Sequence, residues 1–292
     1  MNKTLKIENS DIFYRVMGSG MPVLLIHGFG EDGEVWRPLP SSSTEKVVPV
    51  FEDESLLNKF LFIIPDLPGS GRSAIVKDMS MEGLAEIMKT ILDDATGDKA
   101  TGNETSRACV IGHSMGGYIA LAFAEKYADR LNGLGLFHST AYADSAEKKQ
   151  TRQKGIDFIE EHGAFEFLKT STPNLFSAKT RDERPKLIAE QLEGLRNFSA
   201  DALVLYYRAM MQRPDRTAVL SKATVPVLFI MGEQDSAIPM KDMLEQSHLP
   251  EKAYIHSLQQ SGHLGMLEEA VKANRILKNY ILDLFRFDRP DQ

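Results

Sequence analysis

The stretch Arg107-Ala108-Cys109-Val110-Ile111-Gly112-His113-Ser114-Met115-Gly116 decides the fold. A short apolar run ends at Ile111, and Met115–Tyr127 continues as a helix candidate. Between them stands G-x-S-x-G, with its serine on a sharp strand-to-helix turn. Such a turn lifts the hydroxyl above the edge of a sheet. Side chains two residues to either side would collide across it, which accounts for Gly112 and Gly116. The helix that starts here aims free N–H groups and its positive dipole end at the serine, an environment suited to a developing oxyanion. Ser114 is therefore the candidate nucleophile.

Working outward, the runs Pro22–Ile26, Phe60–Ile64, Ala108–Ile111, Leu131–Phe137 and Val225–Met231 are continuously apolar, as expected of strands buried on both faces of a parallel sheet. Leu5–Ile7 and Ile12–Met17 read as a hairpin around Asn9-Ser10-Asp11, and Ala253–Leu258 as the last strand. Helix candidates alternate with them: one capped by Ser80 and reaching about Asp94, then Met115–Tyr127, then Met266–Phe285. This rhythm predicts a doubly wound α/β fold, a mostly parallel sheet with flanking helices. Residues 140–224 break it, holding no convincing strand but helical patterns at Glu147–Glu161, Arg181–Arg196 and Ala200–Met211, punctuated by Pro173, Pro185 and Pro214. The expected organisation is a core of residues 1–139 and 225–292 with a helical lid inserted at 140–224. Two polar stretches, Ser41–Glu54 and Thr96–Arg107, are expected to be exposed loops.

A serine nucleophile needs a base. Of seven histidines, His27 ends a strand, His113 fills a variable position of the turn, His162 and His248 end helical patterns, and His256 lies within a strand. His263, in Ser261-Gly262-His263-Leu264-Gly265, sits on a glycine-flanked loop between the last strand and the C-terminal helix and is the best placed; His138 is the second choice and a candidate pocket residue. Asp235, after the strand and turn Val227–Asp235, is the candidate orienting acid, ahead of Glu233 and Asp144. The order Ser114, Asp235, His263 is the one this elbow class uses.

Four segments, spanning roughly Pro22 to Leu282, now resemble the α/β-hydrolase superfamily. His27-Gly28-Phe29-Gly30 is similar to its HGxG oxyanion segment, and Pro65-Asp66-Leu67-Pro68-Gly69-Ser70-Gly71-Arg72-Ser73 to the signature turn after the next strand; the elbow and the Asp235 and His263 loops complete the set. The resemblance implies that the backbone N–H groups of Phe29 and Met115 form the oxyanion hole. It disfavours the members with an aspartate nucleophile, because position 114 is serine. The Ser41–Lys59 stretch is longer than the usual connection. The expected activity is that of a serine hydrolase cleaving a small carboxylic ester through an acyl-enzyme; the alternatives are the same triad on a C–C, lactone, amide or thioester bond, or a non-catalytic ligand-binding receptor. Trp36, His138, Phe165, Phe176 and Met210 are the candidate pocket residues.

Other readings are weaker. Gly28-Phe29-Gly30-Glu31-Asp32-Gly33 is a formal dinucleotide fingerprint, with Glu52 and Asp53 about 20 residues on. However, Glu31, Asp32 and Glu34 stand where a pyrophosphate would sit, and Pro38 blocks a long helix. Gly69–Ala74 is a second formal match, cut from its strand by Pro65 and Pro68. No Cys/His cluster, HExxH or P-loop is present, so neither cofactor nor metal is expected. A net charge of −7 argues against a nucleic-acid partner, and the N-terminus lacks the apolar stretch of a signal peptide. The single cysteine, Cys109, cannot form an internal disulfide and reads as a small core residue. The expected setting is cytoplasmic, away from membranes, as a monomer or homodimer acting on a small-molecule substrate; the sequons at Asn2, Asn103 and Asn197 then carry no meaning.

Overall fold

The structure, a computed structural model, describes residues 1–39, 47–98 and 106–288. Eight strands form one sheet: β1 Asn2–Ile7, β2 Ser10–Gly18, β3 Met21–Ile26, β4 Phe60–Pro65, β5 Ala108–His113, β6 Leu131–Phe137, β7 Val227–Gly232 and β8 Ala253–Leu258. Their order is β1-β2-β4-β3-β5-β6-β7-β8, with β1–β2 and β2–β4 antiparallel and every later pair parallel. Eleven α-helices accompany them among the described residues: α1 Met81–Thr96, α2 Met115–Lys126, α3 Ala146–His162, α4 Ala164–Ser171, α5 Ala178–Glu183, α6 Pro185–Gly194, α7 Ala200–Gln212, α8 Thr217–Ser221, α9 Met240–Gln246, α10 Gly265–Glu268 and α11 Ala270–Asp288.

The continuous apolar runs have the expected cause. On β3, Leu24 and Ile26 join the core under α1 and α2, whereas Val23 and Leu25 join the core under α11. β5 divides in the same way, with Val110 on one side and Cys109 and Ile111 on the other. Cys109 is wholly buried, and burial pushes its thiol far above the usual range, as befits a core residue. Tyr280 of α11 ties that helix to the sheet through its hydroxyl, which donates to the carbonyls of Pro226 (2.7 Å) and Leu134 (3.1 Å).

The chain steps from β3 outward to β4 and returns to place β5 on the other side of β3. Adjacent connections therefore diverge at the C-terminal ends of β3 and β5, where an open α/β sheet leaves its crevice. The registers Ile26↔Gly112 and His113↔Phe137 bring the ends of β3, β5 and β6 together there.

Several boundaries differ from expectation. The hairpin turn lies one residue earlier, with Glu8 in the left-handed region (φ 54°). The 181–196 pattern is two helices, because Pro185 begins α6 and Arg184 leaves helical geometry. The 266–285 pattern breaks at Glu269, and the Glu268 carbonyl is taken up by Arg184 from elsewhere in the chain (2.9 Å). Residues 140–224 hold no strand, as expected. The exposed-loop readings for 41–54 and 96–107 fall in part on 41–46 and 99–105, and these residues, like Asn103 and the final four of the proposed core, lie outside the described residues. Of the rest, Val50 and Phe51 are buried against the α11 side of the core, not exposed. No helix among the described residues is long and apolar enough to cross a membrane.

The elbow gives a direct test of this packing. A Cβ on Gly116 would lie 2.3 Å from the carbonyl oxygen of Ile26 and 2.5 Å from that of His27. Backbone atoms cannot yield as a flexible side chain can, so Gly116→Ala should cost more than about 3 kcal/mol in urea unfolding. A loss below about 1 kcal/mol would show that the two segments are not in contact.

Candidate active site

Ser114 joins β5 to α2 with φ 51° and ψ −117°, a conformation non-glycine residues rarely adopt. It is held there by close backbone approach. A Cβ on Gly112 would meet the Gly116 carbonyl at 2.1 Å, and Gly117 leaves room for Ser139, whose hydroxyl donates to the Ser114 carbonyl (2.7 Å). A Cβ on Gly116 itself would meet the carbonyls at the end of β3, a contact the collision argument from spacing does not contain.

The structure brings Ser114, His263 and Asp235 together. His263 Nε2 lies 2.8 Å from Ser114 Oγ, and His263 Nδ1 lies 2.8 Å from Asp235 Oδ2. A carboxylate can only accept, so Nδ1 carries the proton and Nε2 is left to accept from the serine hydroxyl. Asp235 Oδ1 accepts from the N–H groups of Ala237 (2.8 Å) and Ile238 (2.9 Å), which fixes the carboxylate plane. Burial pushes the Asp235 carboxyl up, but His263 and His138 outweigh this and hold it well below the usual carboxylate range. The His263 loop is fixed in turn: its N–H donates to Leu175 O (2.7 Å), and Gly262 N–H donates to the buried Glu268 carboxylate (2.8 Å).

The segment after β3 lies beside the serine, since a Cβ on Gly28 would meet Ser114 Cβ at 3.1 Å. Among the described residues, the N–H groups of Phe29 and Met115 have no hydrogen-bond partner. His27 secures this segment to the 65–73 turn. Its Nε2 accepts from Leu67 N–H (2.9 Å) and its Nδ1 donates to Gly28 O (2.9 Å), and burial lowers its pKa, in keeping with a neutral ring. The dinucleotide reading fails on the same contacts: Gly28 N–H is bound to Glu31 (2.7 Å) and Gly33 N–H to Asp66 (3.0 Å), and only a single turn, Gly33–Trp36, follows.

A cavity of about 330 Å³ opens over Ser114. Phe29, Tyr118, Ile238 and His263 line it from the sheet side, and Lys148, Arg152, Leu175, Tyr207 and Met210 line it from the 140–224 segment. Of the five expected pocket residues only Met210 is there. Trp36 lies in the core under α11, its ring edge-on to Phe137 at 5.9 Å. Phe176 is buried in that same cluster. Phe165 sits under Arg196, whose guanidinium carbon is 5.1 Å from its ring. His138, with φ 48°, is wholly buried behind the acid: its Nδ1 is 3.1 Å from Asp235 Oδ2 but off the line of a hydrogen bond. Burial lowers its pKa to about 4, so the ring is neutral and is neither base nor pocket wall. Of the other acids, Asp144 is held by Arg152 and Arg213, and Glu233 accepts from Ser257 at the surface.

His138, Asp235 and His263 place donor atoms within 4.8 Å of one another, the nearest approach to a metal-ligand set among the described residues. The His263 nitrogen that faces Asp235 carries a proton, and its other nitrogen faces Ser114, which suits proton transfer better than metal ligation.

One pair had no signal in the sequence. His113 Nδ1 lies 3.0 Å from Glu31 Oε2, and its Nε2 lies 2.9 Å from the carbonyl of His263. Both neighbours can only accept, so the ring is an imidazolium facing a carboxylate. Burial pushes His113 down and Glu31 up, yet each raises or lowers the other further, leaving His113 above and Glu31 below its ordinary value. The pair joins the Gly28 loop, the elbow and the His263 loop.

Comparison with known proteins finds relatives over most of the chain. The sequence profile described as the alpha/beta hydrolase family matches residues 23–274. Lipase 3 of Moraxella sp. (strain TA144) is 25% identical over 274 residues, covering 93% of this chain and 78% of that one. The 2-hydroxy-6-oxo-6-phenylhexa-2,4-dienoate hydrolase of Comamonas testosteroni is 26% identical, covering 96% of each. Among solved structures, a thermophilic esterase from Thermogutta terrifontis superposes with a TM-score of 0.81 at 26% identity, covering 97% of each chain.

The buried pair gives stability a definite pH dependence. His113, raised in the folded state, contributes fully below its unfolded value of 6.5 and loses that contribution as pH climbs through its folded value. Glu31, lowered, contributes fully above 4.5 and loses that contribution as pH falls. The Tm of the protein relative to the His113→Asn/Glu31→Gln double variant should therefore be most favourable between those values. Above 6.5 it should decline, by about 2 °C per pH unit at the steepest. A difference independent of pH would mean that the pair is not ionic.

Proposed function

The chain belongs to the alpha/beta hydrolase family, and from that premise we propose that it is a serine hydrolase cleaving a small carboxylic ester. The observation that carries the reading is the aligned pair of 2.8 Å contacts from Ser114 through His263 to Asp235. Ser114 Oγ bonds to the ester carbonyl carbon while its proton passes to His263 Nε2, and the carbonyl electron pair moves onto the oxygen. The N–H groups of Phe29 and Met115 receive that oxyanion. Collapse expels the alkoxide, which takes the proton from His263 and leaves as the alcohol. Water, deprotonated by the same ring, then releases the acid from the acyl-enzyme. Asp235 holds the ring in the productive tautomer and stabilises the imidazolium.

In this reading residues 140–224 form the lid over the cavity, supported by the pocket positions of Tyr207 and Met210 on α7. The substrate is a small molecule and the setting cytoplasmic, with the protein a monomer or homodimer. A second reading, the same triad acting on a carbon–carbon bond, is favoured by the similarity to the dienoate hydrolase over nearly the whole chain.

Ser114→Ala should lower kcat by roughly 10⁴–10⁶-fold with the fold intact, and an organophosphonate should add to Ser114; intact-mass mapping of the adduct to another residue would overturn the assignment. The lid reading has its own test. Met210→Ala should shift kcat/KM between short and long acyl chains by roughly 10-fold or more, whereas Phe165→Ala should not. Equal shifts from both would show that the cavity wall does not set the preference.

A further inference from the structure

The wall of the cavity formed by α3 carries more positive charge than its own carboxylates balance. Lys148 lines the cavity, half-buried, and its ammonium makes one long hydrogen bond, 3.3 Å, to the Ala237 carbonyl. Among the described residues no carboxylate pairs with it. One turn further along α3, Arg152 lines the same wall and grips Asp144 with two nitrogens, at 2.6 and 3.3 Å. Arg213 holds that same carboxylate at 2.9 Å, so one acid faces two guanidinium groups. Glu31 is the one carboxylate among the described lining residues, and His113 already matches it. Asp235 lies behind the His263 ring and does not line the cavity. The excess runs against the molecule's own net charge of −7.

An ammonium has three donors and no acceptor, and this one meets a single, long protein acceptor, which leaves two donors for a bound anion. An anion supplies both the missing acceptors and the missing charge. A carboxylate suits the site better than a phosphate, which calls for several donors and is best held by a free guanidinium fork; both forks here are engaged with Asp144. Phe29, Leu175, Tyr207, Met210 and Ile238 give the same cavity an apolar surface beside the uncharged polar Thr151 and Ser236.

We infer that Lys148, backed by Arg152, is an anion subsite, and that the substrate carries a free carboxylate in addition to the bond cut at Ser114. The proposal rests on the reading of Ser114 as nucleophile for its catalytic half but not for its binding half, and the two are tested separately.

For binding, calorimetry compares the monoamides of succinic, adipic and suberic acids, which keep one carboxylate, with the corresponding neutral diamides; none contains an ester. At one or more lengths the monoamide should bind at least about tenfold more tightly, the scale of one charge-assisted contact, with the preference shrinking as salt is added. Lys148→Gln should remove most of that preference and Lys148→Arg should restore it. Lys149→Gln, which removes the same charge from an exposed neighbouring position, should leave it in place. No preference at any length, or equal losses from Lys148→Gln and Lys149→Gln, would overturn the subsite. For catalysis, kcat/KM for the monomethyl esters of the three acids is compared with that for their neutral methyl ester carboxamides, and the acidic esters should be preferred by a similar factor. Anion-selective binding with no hydrolysis of either series would keep the subsite and overturn the ester reading. Hydrolysis of both series at equal kcat/KM, with equal binding, would keep the ester reading and overturn the subsite.

Discussion

The close approach of Gly116 to the carbonyls of Ile26 and His27 is the contact on which the site depends. It presses the start of α2 against the end of β3, and the chain between β5 and α2 can then turn only by placing Ser114 in the left-handed region. Such a residue costs of order 1–3 kcal/mol and persists only where its surroundings fix it. Here β5 is buried along its whole length, as are the first ten residues of α2, so nothing nearby can relax. The same contact sets the segment after β3 against the serine. One steric constraint therefore positions both the nucleophile and the N–H groups facing it.

The second requirement is to bring a histidine from the far end of the chain to that serine. The parallel sheet does most of this, since β6, β7 and β8 end at the same edge as β5. Buried carboxylates complete it. Asp235 receives two backbone N–H groups as well as the His263 ring, so its charge is supported before any proton moves. Glu268 receives Gly262 N–H on one oxygen and Ser177 N–H on the other. Glu31 receives Gly28 N–H and faces His113, whose other nitrogen reaches the His263 carbonyl. Burying these acids is tolerable because their acceptor positions are filled by oriented donors.

How much of this was legible in the sequence follows from the range of the interactions involved. Ser114 was legible because a local steric rule places glycines around it, and His263 and Asp235 because each follows a strand in a fixed order. The strands were legible because burial on both faces leaves uninterrupted apolar runs. The pocket aromatics were not, since an aromatic residue on a helical segment faces the cavity or the core according to how that segment docks. Phe176 and Trp36 face the core under α11, and Phe165 faces Arg196. His138 followed a strand as His263 did, but its left-handed backbone sends the ring behind Asp235. The break at Glu269 and the Glu31–His113 pair involve partners roughly 80 residues apart, and no periodicity records those.

These contacts also bind the 140–224 segment to the triad. His263 N–H has its partner in Leu175 O, and Ser177 N–H shares the Glu268 carboxylate with Gly262. The connection from α4 to α5 is thus part of the scaffold that holds the base, and displacing it would take the hydrogen-bond partners of the His263 loop with it. The α3 and α7 wall is tied down differently. Arg152 and Arg213 meet at Asp144, Arg213 also packs over the Tyr118 ring at 3.8 Å, and Tyr207 stacks on Phe29 with ring centres 4.3 Å apart. None of these partners carries the base. From the same wall Lys148 reaches the Ala237 carbonyl, on the residue whose N–H holds Asp235, so the side on which Lys148, Tyr207 and Met210 face the cavity touches the acid's loop and not the base's.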